Sequence, residues 1–261
     1  MKMVKKILLG AVALAAVLSL ASCGMKDDEK KAITGSGKSY KVEFSNDGSD
    51  AYRAYKSTTL NHAGALVKVT FNTTDTASSK MGLIFDLKDS ANGVKDAVDF
   101  YVIGIGMEGK GNYYVSKYTD IVDIQGKNFG ATTTAKDKEP KEVEIVEYTS
   151  AGNLTLPKAA ADGSVSIYIN YVLVPGGHIN WALYDLTDEV AKTYKEGVFV
   201  TTTQPTPLKS GTIDKAFDES ITDPTKVPQN KIAFYAQIAP GKTLKGSWDV
   251  VGTFLEADDA E

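Results

Sequence analysis

The sequence predicts an all-β chain folded as an antiparallel two-sheet sandwich, and three observations carry that reading. From Tyr40 onward apolar residues alternate with polar ones, as in Val67-Lys68-Val69-Thr70-Phe71 and Val165-Ser166-Ile167-Tyr168-Ile169. Clusters of Gly, Asn, Asp and Pro bound each alternating run, which is where hairpin turns need them. Helical patterning is nearly absent: Thr187–Tyr194, under three turns, is the single candidate of any length, so layered α/β folds lose to a sandwich.

In chain order, Lys2, Lys5 and Lys6 precede an uncharged apolar run, Ile7 to Leu20. That run is too short for a spanning helix of about 20 residues but suits a secretory signal over residues 1–22. Leu20-Ala21-Ser22-Cys23 follows, and Cys23 is the only cysteine. The tetrapeptide resembles the lipobox of bacterial lipoproteins, which implies a diacylglycerol thioether on Cys23, cleavage before it, and a membrane partner reached through acyl chains. Gly24, where that family's inner-membrane signal would place Asp, implies an outer-membrane destination in the cell envelope. Cleavage there removes three lysines and no acid, taking the formal charge from −4 to −7. An anionic chain is held at a membrane by its acyl chains, at about 0.8 kcal/mol per buried methylene, rather than by charge. Residues 23–39, the lipidated Cys and a polar stretch ending in Gly and Ser, read as a flexible tether, and 40–261 as one sandwich domain.

Within that domain the expected strands include Val67–Phe71 and Met81–Leu87 as successive strands, Asp99–Gly106, Asn112–Tyr118, Glu142–Thr149, Val165–Tyr171, Ile179–Leu186, Gly197–Thr202, Lys231–Ile238 and Leu244–Leu255. Residues 203–230, with Pro205, Pro207, Pro224 and Pro228, read as an excursion from the sandwich, because residues 231–261 are too short to fold alone. Trp181 and Trp248 alternate with apolar neighbours and are expected in the core.

Composition narrows function. With 43% hydrophobic and 24% charged residues the chain is ordinary globular material. One Cys rules out an internal disulfide, and two histidines, His62 and His178, with one Cys rule out zinc-finger and iron–sulfur sites. Arg53 is the only arginine among 29 basic residues and the net charge is negative, which argues against a nucleic-acid partner.

The texture of Gly64–Leu87 (GALVKVTFNTTDTASSKMGLIFDL), then DFYVIGIG, NYYVSKY, a strand ending VPGG and a terminal WDVVGTFLEA, resembles the concanavalin A-like lectin/glucanase jelly roll. The resemblance covers most of 40–256. It implies a jelly-roll sandwich, a fold that carries sugar-binding modules, glucanases and structural domains alike.

Four local patterns bear on chemistry. Gly104-Ile105-Gly106-Met107-Glu108-Gly109 matches G-x-G-x-x-G, but Lys110–Val115 leads into another strand rather than a helix, so a glycine-rich hairpin loop is the better reading than a dinucleotide site. Asn46–Asp50 and Asp89–Gly93 hold oxygens suited to Ca²⁺, although ordinary turns use the same residues; no cofactor is expected. No G-x-S-x-G elbow supports a serine nucleophile. Finally, Glu142-Val143-Glu144-Ile145-Val146-Glu147 resembles the E-x-D-x-x-E motif of family-16 glycoside hydrolases. That resemblance implies Glu142 as nucleophile, Glu144 as its orienting partner and Glu147 as acid/base, acting on a β-glucan or galactan. Glu144 replaces the family's Asp, and strand parity puts Glu147 on the opposite face from Glu142 and Glu144 unless a bulge intervenes.

Tyrosines in the expected strands are the remaining handle. Tyr101, Tyr114 and Tyr148 are the candidate ligand-binding rings, since an aromatic face stacks on sugar C–H groups. Tyr113, Tyr118, Tyr168, Tyr171 and Tyr184 share the pattern. The expectation is a lipid-anchored envelope sandwich that binds a glycan or another extracellular partner without catalysis, with a family-16-like hydrolase as the alternative.

Overall fold

A computed structural model describes residues 33–47, 52–72, 79–93, 95–106, 111–121, 142–148 and 154–256; for 52–53, 57–60, 142–148 and 256 only the backbone is described. Among these residues there are fourteen strands and one α-helical turn. In order they are β1 (Ile33–Ser36), β2 (Ser39–Asn46), β3 (Tyr52–Asn72), β4 (Lys80–Asp89), β5 (Val98–Gly106), β6 (Asn112–Ile121), β7 (Glu142–Tyr148), β8 (Ser164–Val174), β9 (His178–Tyr184), α1 (Asp188–Ala191), β10 (Tyr194–Lys195), β11 (Val198–Phe199), β12 (Lys209–Ile213), β13 (Asn230–Ile238) and β14 (Lys242–Glu256). Every pairing among them is antiparallel.

The two layers share a strand. The first part of β3, Tyr52 to His62, pairs with β13, whereas Gly64 to Phe71 lies between β14 and β8. One layer therefore runs β1-β2-β14-β3-β8-β9-β12 and the other β3-β13-β4-β5-β6-β7, joined where β3 passes His62. Alternation explains the layering. Val67, Val69 and Phe71 of β3, Ile167 and Ile169 of β8, and Trp181 of β9 meet Leu83 and Phe85 of β4, Ile103 of β5, Val115 of β6 and Phe234 of β13 in one central core. Trp248, fully buried on β14, donates its indole N–H to the Gly82 carbonyl of β4 at 2.9 Å, a hydrogen bond from one layer to the other. Phe85 stacks on Tyr171 at 4.9 Å between ring centroids, and Tyr40 packs on Phe234 at 4.4 Å.

Both layers also bury residues on their outer faces. Outside the first, Leu66 and Tyr168 pack with Ala191, Tyr194 and Phe199 from α1 and the β10–β11 hairpin. This cover is pinned by Asp188, whose carboxylate accepts from the Lys68 ammonium at 2.7 Å and the Tyr168 hydroxyl at 2.6 Å. Thr187 caps α1 by accepting from the Val190 N–H. Outside the second layer, Ile84, Phe100, Val102, Tyr114, Tyr118 and Tyr235 form a cluster, and every described member of it belongs to the sheet itself.

Several expectations need correcting. Among the described residues the sheet starts with β1, inside the stretch read as a tether: Ile33, the one apolar residue of β1, is buried, and Gly37 takes positive φ in the turn to β2. The helix candidate contributes a single turn, and Gly197–Thr202 only a two-residue strand. The 203–230 excursion contains β12, whose Gly, Ser and Thr positions hid its alternation, and a 3₁₀ turn at Pro224–Lys226. Trp181 and Trp248 lie in the core as expected. No helix among the described residues is long and apolar enough to cross a membrane.

Candidate functional site

The outer face of the second layer carries an ordered row of tyrosine and glycine. By register, Tyr55 of β3 stands beside Tyr235 of β13, Tyr235 beside Gly82 of β4, Gly82 beside Gly104 of β5, Gly104 beside Tyr114 of β6, and Tyr114 beside Tyr148 of β7. Because directly opposed residues share a face, this is one band crossing six strands, with glycines in the middle and tyrosines toward both ends. Gly104 is required there: a Cβ on it would fall 2.0 Å from the Tyr114 ring, so the ring lies over the glycine. The Lys80 ammonium sits 4.9 Å from the centre of the same ring, in cation–π range.

A polar row runs alongside, where Gln237 of β13 opposes Lys80 of β4, Lys80 opposes Gly106 of β5, and Gly106 opposes Asn112 of β6. The Tyr235 hydroxyl donates to Gln237 Oε1 at 2.9 Å, linking the two rows. Phe100 and Tyr118 stack farther along the face, centroids 5.0 Å apart and rings nearly parallel. Tyr114, Tyr118, Tyr235 and Asn112 are buried on this face, and Lys80 and Gln237 are half-buried, so rings, amides and an ammonium of the kinds that contact a pyranose lie together with their edges, not open faces, toward solvent.

The structure separates the three sequence-chosen tyrosines. Tyr114 and the Tyr148 position are neighbours on the outer face, the side chain of Tyr148 lying outside the described residues. Tyr101 belongs to the central core, buried and stacked on Phe85, which is the packing role that alternation also allowed. Tyr113 and Tyr171 are core too, and Tyr168 and Tyr184 belong to the α1 side. Tyr55, Tyr235, Lys80 and Gln237 were missed. Tyr235 sits in an apolar run, Phe234-Tyr235-Ala236, that gives no hint of which residue faces outward.

The three glutamates lie on β7, which among the described strands pairs only with β6. Glu142, Glu144 and Glu147 oppose Thr119, Lys117 and Val115, and the register slips between Ile145 and Glu147. A bulge is thus present where parity demanded one, and all three positions match one face of β6. It is the face of Val115, which joins the central core, and not the face of Tyr114 and Tyr118. The glutamate side chains, like Cys23, lie outside the described residues.

Other sequence patterns resolve into structure. Gly104 and Gly106 lie within β5, so the glycines make room for Tyr114 and Asn112 instead of forming a loop. The Asp89–Gly93 segment is a turn: Asp99 accepts from the Ala91 and Asp120 backbone N–H groups at 2.9 Å each, and Asp120 accepts from Ser90 and Asn92. Gly48–Asp50 of the other oxygen-rich segment are outside the described residues. His178 pairs with Asp214 at 2.9 Å on the surface, and His62 is buried where β3 changes layers. Among the described residues no three His, Cys, Asp or Glu side chains gather to hold a metal.

No protein-family description matches the chain, and no curated protein matches it in sequence. Among solved structures it is similar to a Bacillus licheniformis β-glucanase, with 9% identity, TM-score 0.36 and coverage of 84% of this chain and 80% of the other. A native glycosidic hydrolase gives 8%, 0.35, 84% and 79%, and a mutant alginate lyase in complex with an alginate tetrasaccharide gives 9%, 0.32, 84% and 82%. Likenesses this distant say nothing of chemistry. The all-β antiparallel sandwich stands on the strand pairings themselves.

Proposed function

We propose that this protein is a lipid-anchored module of the bacterial cell envelope that binds a glycan, without hydrolysing it, on the outer face of its second layer. The carrying observation is the band Tyr55–Tyr235–Gly82–Gly104–Tyr114–Tyr148 with the polar row of Gln237, Lys80 and Asn112 beside it. Stacking surfaces and hydrogen-bonding groups at strand spacing, about 4.8 Å apart, match the scale of one sugar ring. The anchor rests on the signal segment and Leu20-Ala21-Ser22-Cys23, which together give the thiol, the cleavage context and the secretory route.

Hydrolysis is the second reading, and the β7 bulge is the observation in its favour, since it sets all three glutamate positions on one face. Against it, the glutamate positions match the Val115 face of β6, whereas the tyrosine band lies on the Tyr114 face.

The test is a glycan array with the intact chain, followed by titration of any hit against Gln237→Ala and Lys80→Ala. Each is expected to weaken binding about five- to tenfold, the loss of roughly 1 kcal/mol of hydrogen bonding to the sugar, with an unchanged circular dichroism spectrum. An array with no hit, or affinity indifferent to both substitutions, overturns the proposal.

A further inference from the structure

At one end of the central core, β4 breaks step with both neighbours. Its register slips against β5 between Phe85 and Lys88, and against β13 opposite Lys231 and Ala233. Asp86 lies in this double irregularity with φ at +54°, a conformation that costs a non-glycine residue of order 1 kcal/mol or more. The distortion delivers a carboxylate with no solvent exposure to a place where two nitrogens converge on it. The Lys88 ammonium meets Oδ2 at 2.7 Å, and the Asn230 side-chain amide donates to Oδ1. Lys88 Nζ is held from another side by the Ala216 carbonyl at 3.2 Å, and its side chain is 31% exposed. The Tyr171 hydroxyl, fully buried with no hydrogen-bond partner, lies close enough to feel the charge on Asp86.

A buried ion pair is a poor way to gain stability, because desolvation offsets the attraction. An amine and a carboxamide brought to the two oxygens of one buried carboxylate are, however, the three groups needed to exchange one amide for another. We propose that Lys88 and Asn230 join in an intramolecular isopeptide bond between β4 and β13, with Asp86 carrying the protons.

The step balances without any added reagent. Asp86 takes one proton from the Lys88 ammonium, leaving a neutral amine whose lone pair adds to Asn230 Cγ. The same carboxyl relays a second Nζ proton to Asn230 Nδ2. The Cγ–Nδ2 bond breaks, ammonia leaves, and an amide joins Nζ to Cγ, with Asp86 retaining the first proton. Nothing is oxidised or reduced. The environment favours the proton's move, since burial pushes the Asp86 carboxyl above the ordinary range despite the opposing pull of Lys88 and Asn230. This inference does not depend on glycan binding or on the anchor.

Peptide mapping of the intact chain decides it. Trypsin cannot cut at an acylated lysine, so the expected product is a branched peptide joining Met81–Lys95 to Val227–Lys231, lighter than the two together by one ammonia. It should be missing from Lys88→Arg and from Asn230→Ala. Recovery of Met81–Lys88 and Val227–Lys231 as separate linear peptides from the wild type, whether or not Asn230 is deamidated, overturns the proposal. A branched peptide that persists in Asp86→Ala overturns the role given to Asp86.

Discussion

Replacing Trp248 by Phe tests whether the layers are locked through the floor of the tyrosine band. Trp248 is fully buried, and its N–H reaches the Gly82 carbonyl of the opposite layer at 2.9 Å. Phenylalanine keeps an aromatic ring against Phe234, whose centroid is 5.5 Å away, but supplies no donor. Leaving a buried carbonyl without this partner costs about 1–3 kcal/mol, and the volume lost from a packed core adds about 1 kcal/mol. The expected destabilisation is therefore about 3 kcal/mol, or roughly 6–12 °C in midpoint for a chain of this size. Urea unfolding followed by far-UV circular dichroism measures it, a probe that does not depend on the deleted indole. Because Gly82 lies in the band, glycan affinity should fall as well. A loss below about 1 kcal/mol with affinity intact would show that the bond to Gly82 holds neither the layers nor the site.

Three further outcomes are expected. Cys23→Ala should move the protein from the detergent to the aqueous phase in a partitioning experiment with its circular dichroism unchanged; a mutant that still partitions with detergent removes the acyl anchor from the account. The wild type should release no reducing ends from laminarin, lichenan, agarose or carrageenan, and Glu142→Gln should leave glycan affinity within a few fold; turnover abolished by both Glu142→Gln and Glu147→Gln would instead make those residues nucleophile and acid/base. Hydrogen bonds from Lys68 and Tyr168 hold the Asp188 carboxyl below its usual range, so its contribution is present above the unfolded pKa of about 3.9 and fades as pH falls through the lower native value. Asp188→Asn should accordingly be less stable than wild type at neutral pH and match it in strong acid, and an equal gap at both pH values would contradict that sign.

Strand periodicity made much of the sheet legible, because strands such as β2 and β8 bury one face in the common core and so advertise it every second residue, whereas β4 and β5, buried on both faces, read as strands from their continuous apolar runs. Asp99–Gly106, Lys231–Ile238 and Leu244–Leu255 differ from the observed strands by a residue or two at their ends. Where burial is slight the signal failed: β1 buries only Ile33, and Ser210, Gly211 and Thr212 of β12 offer little contrast. The site was harder. Tyr101 and Tyr114 look alike in sequence, and only their opposite parity within adjacent strands sends one ring inward and the other out. The Tyr–Gly band depends on register across six strands drawn from distant parts of the chain, and no local pattern encodes it. Asp86 was likewise invisible, since the slip that buries it arises between β4 and its two partners.

The shared strand β3 has a kinetic meaning. Its inner neighbours are β13 in one layer and β14 in the other, both encoded late, whereas β2 and β4 on their far sides are encoded early. Neither layer can close around its middle until those late strands arrive, and such distant pairings are slow to form. During synthesis the early strands must wait, open-edged, as a non-native chain. Under the secretory route proposed above, in which the chain is threaded unfolded through a translocation pore, that delay would be an advantage, since the order of the strands along the gene postpones closure of both layers.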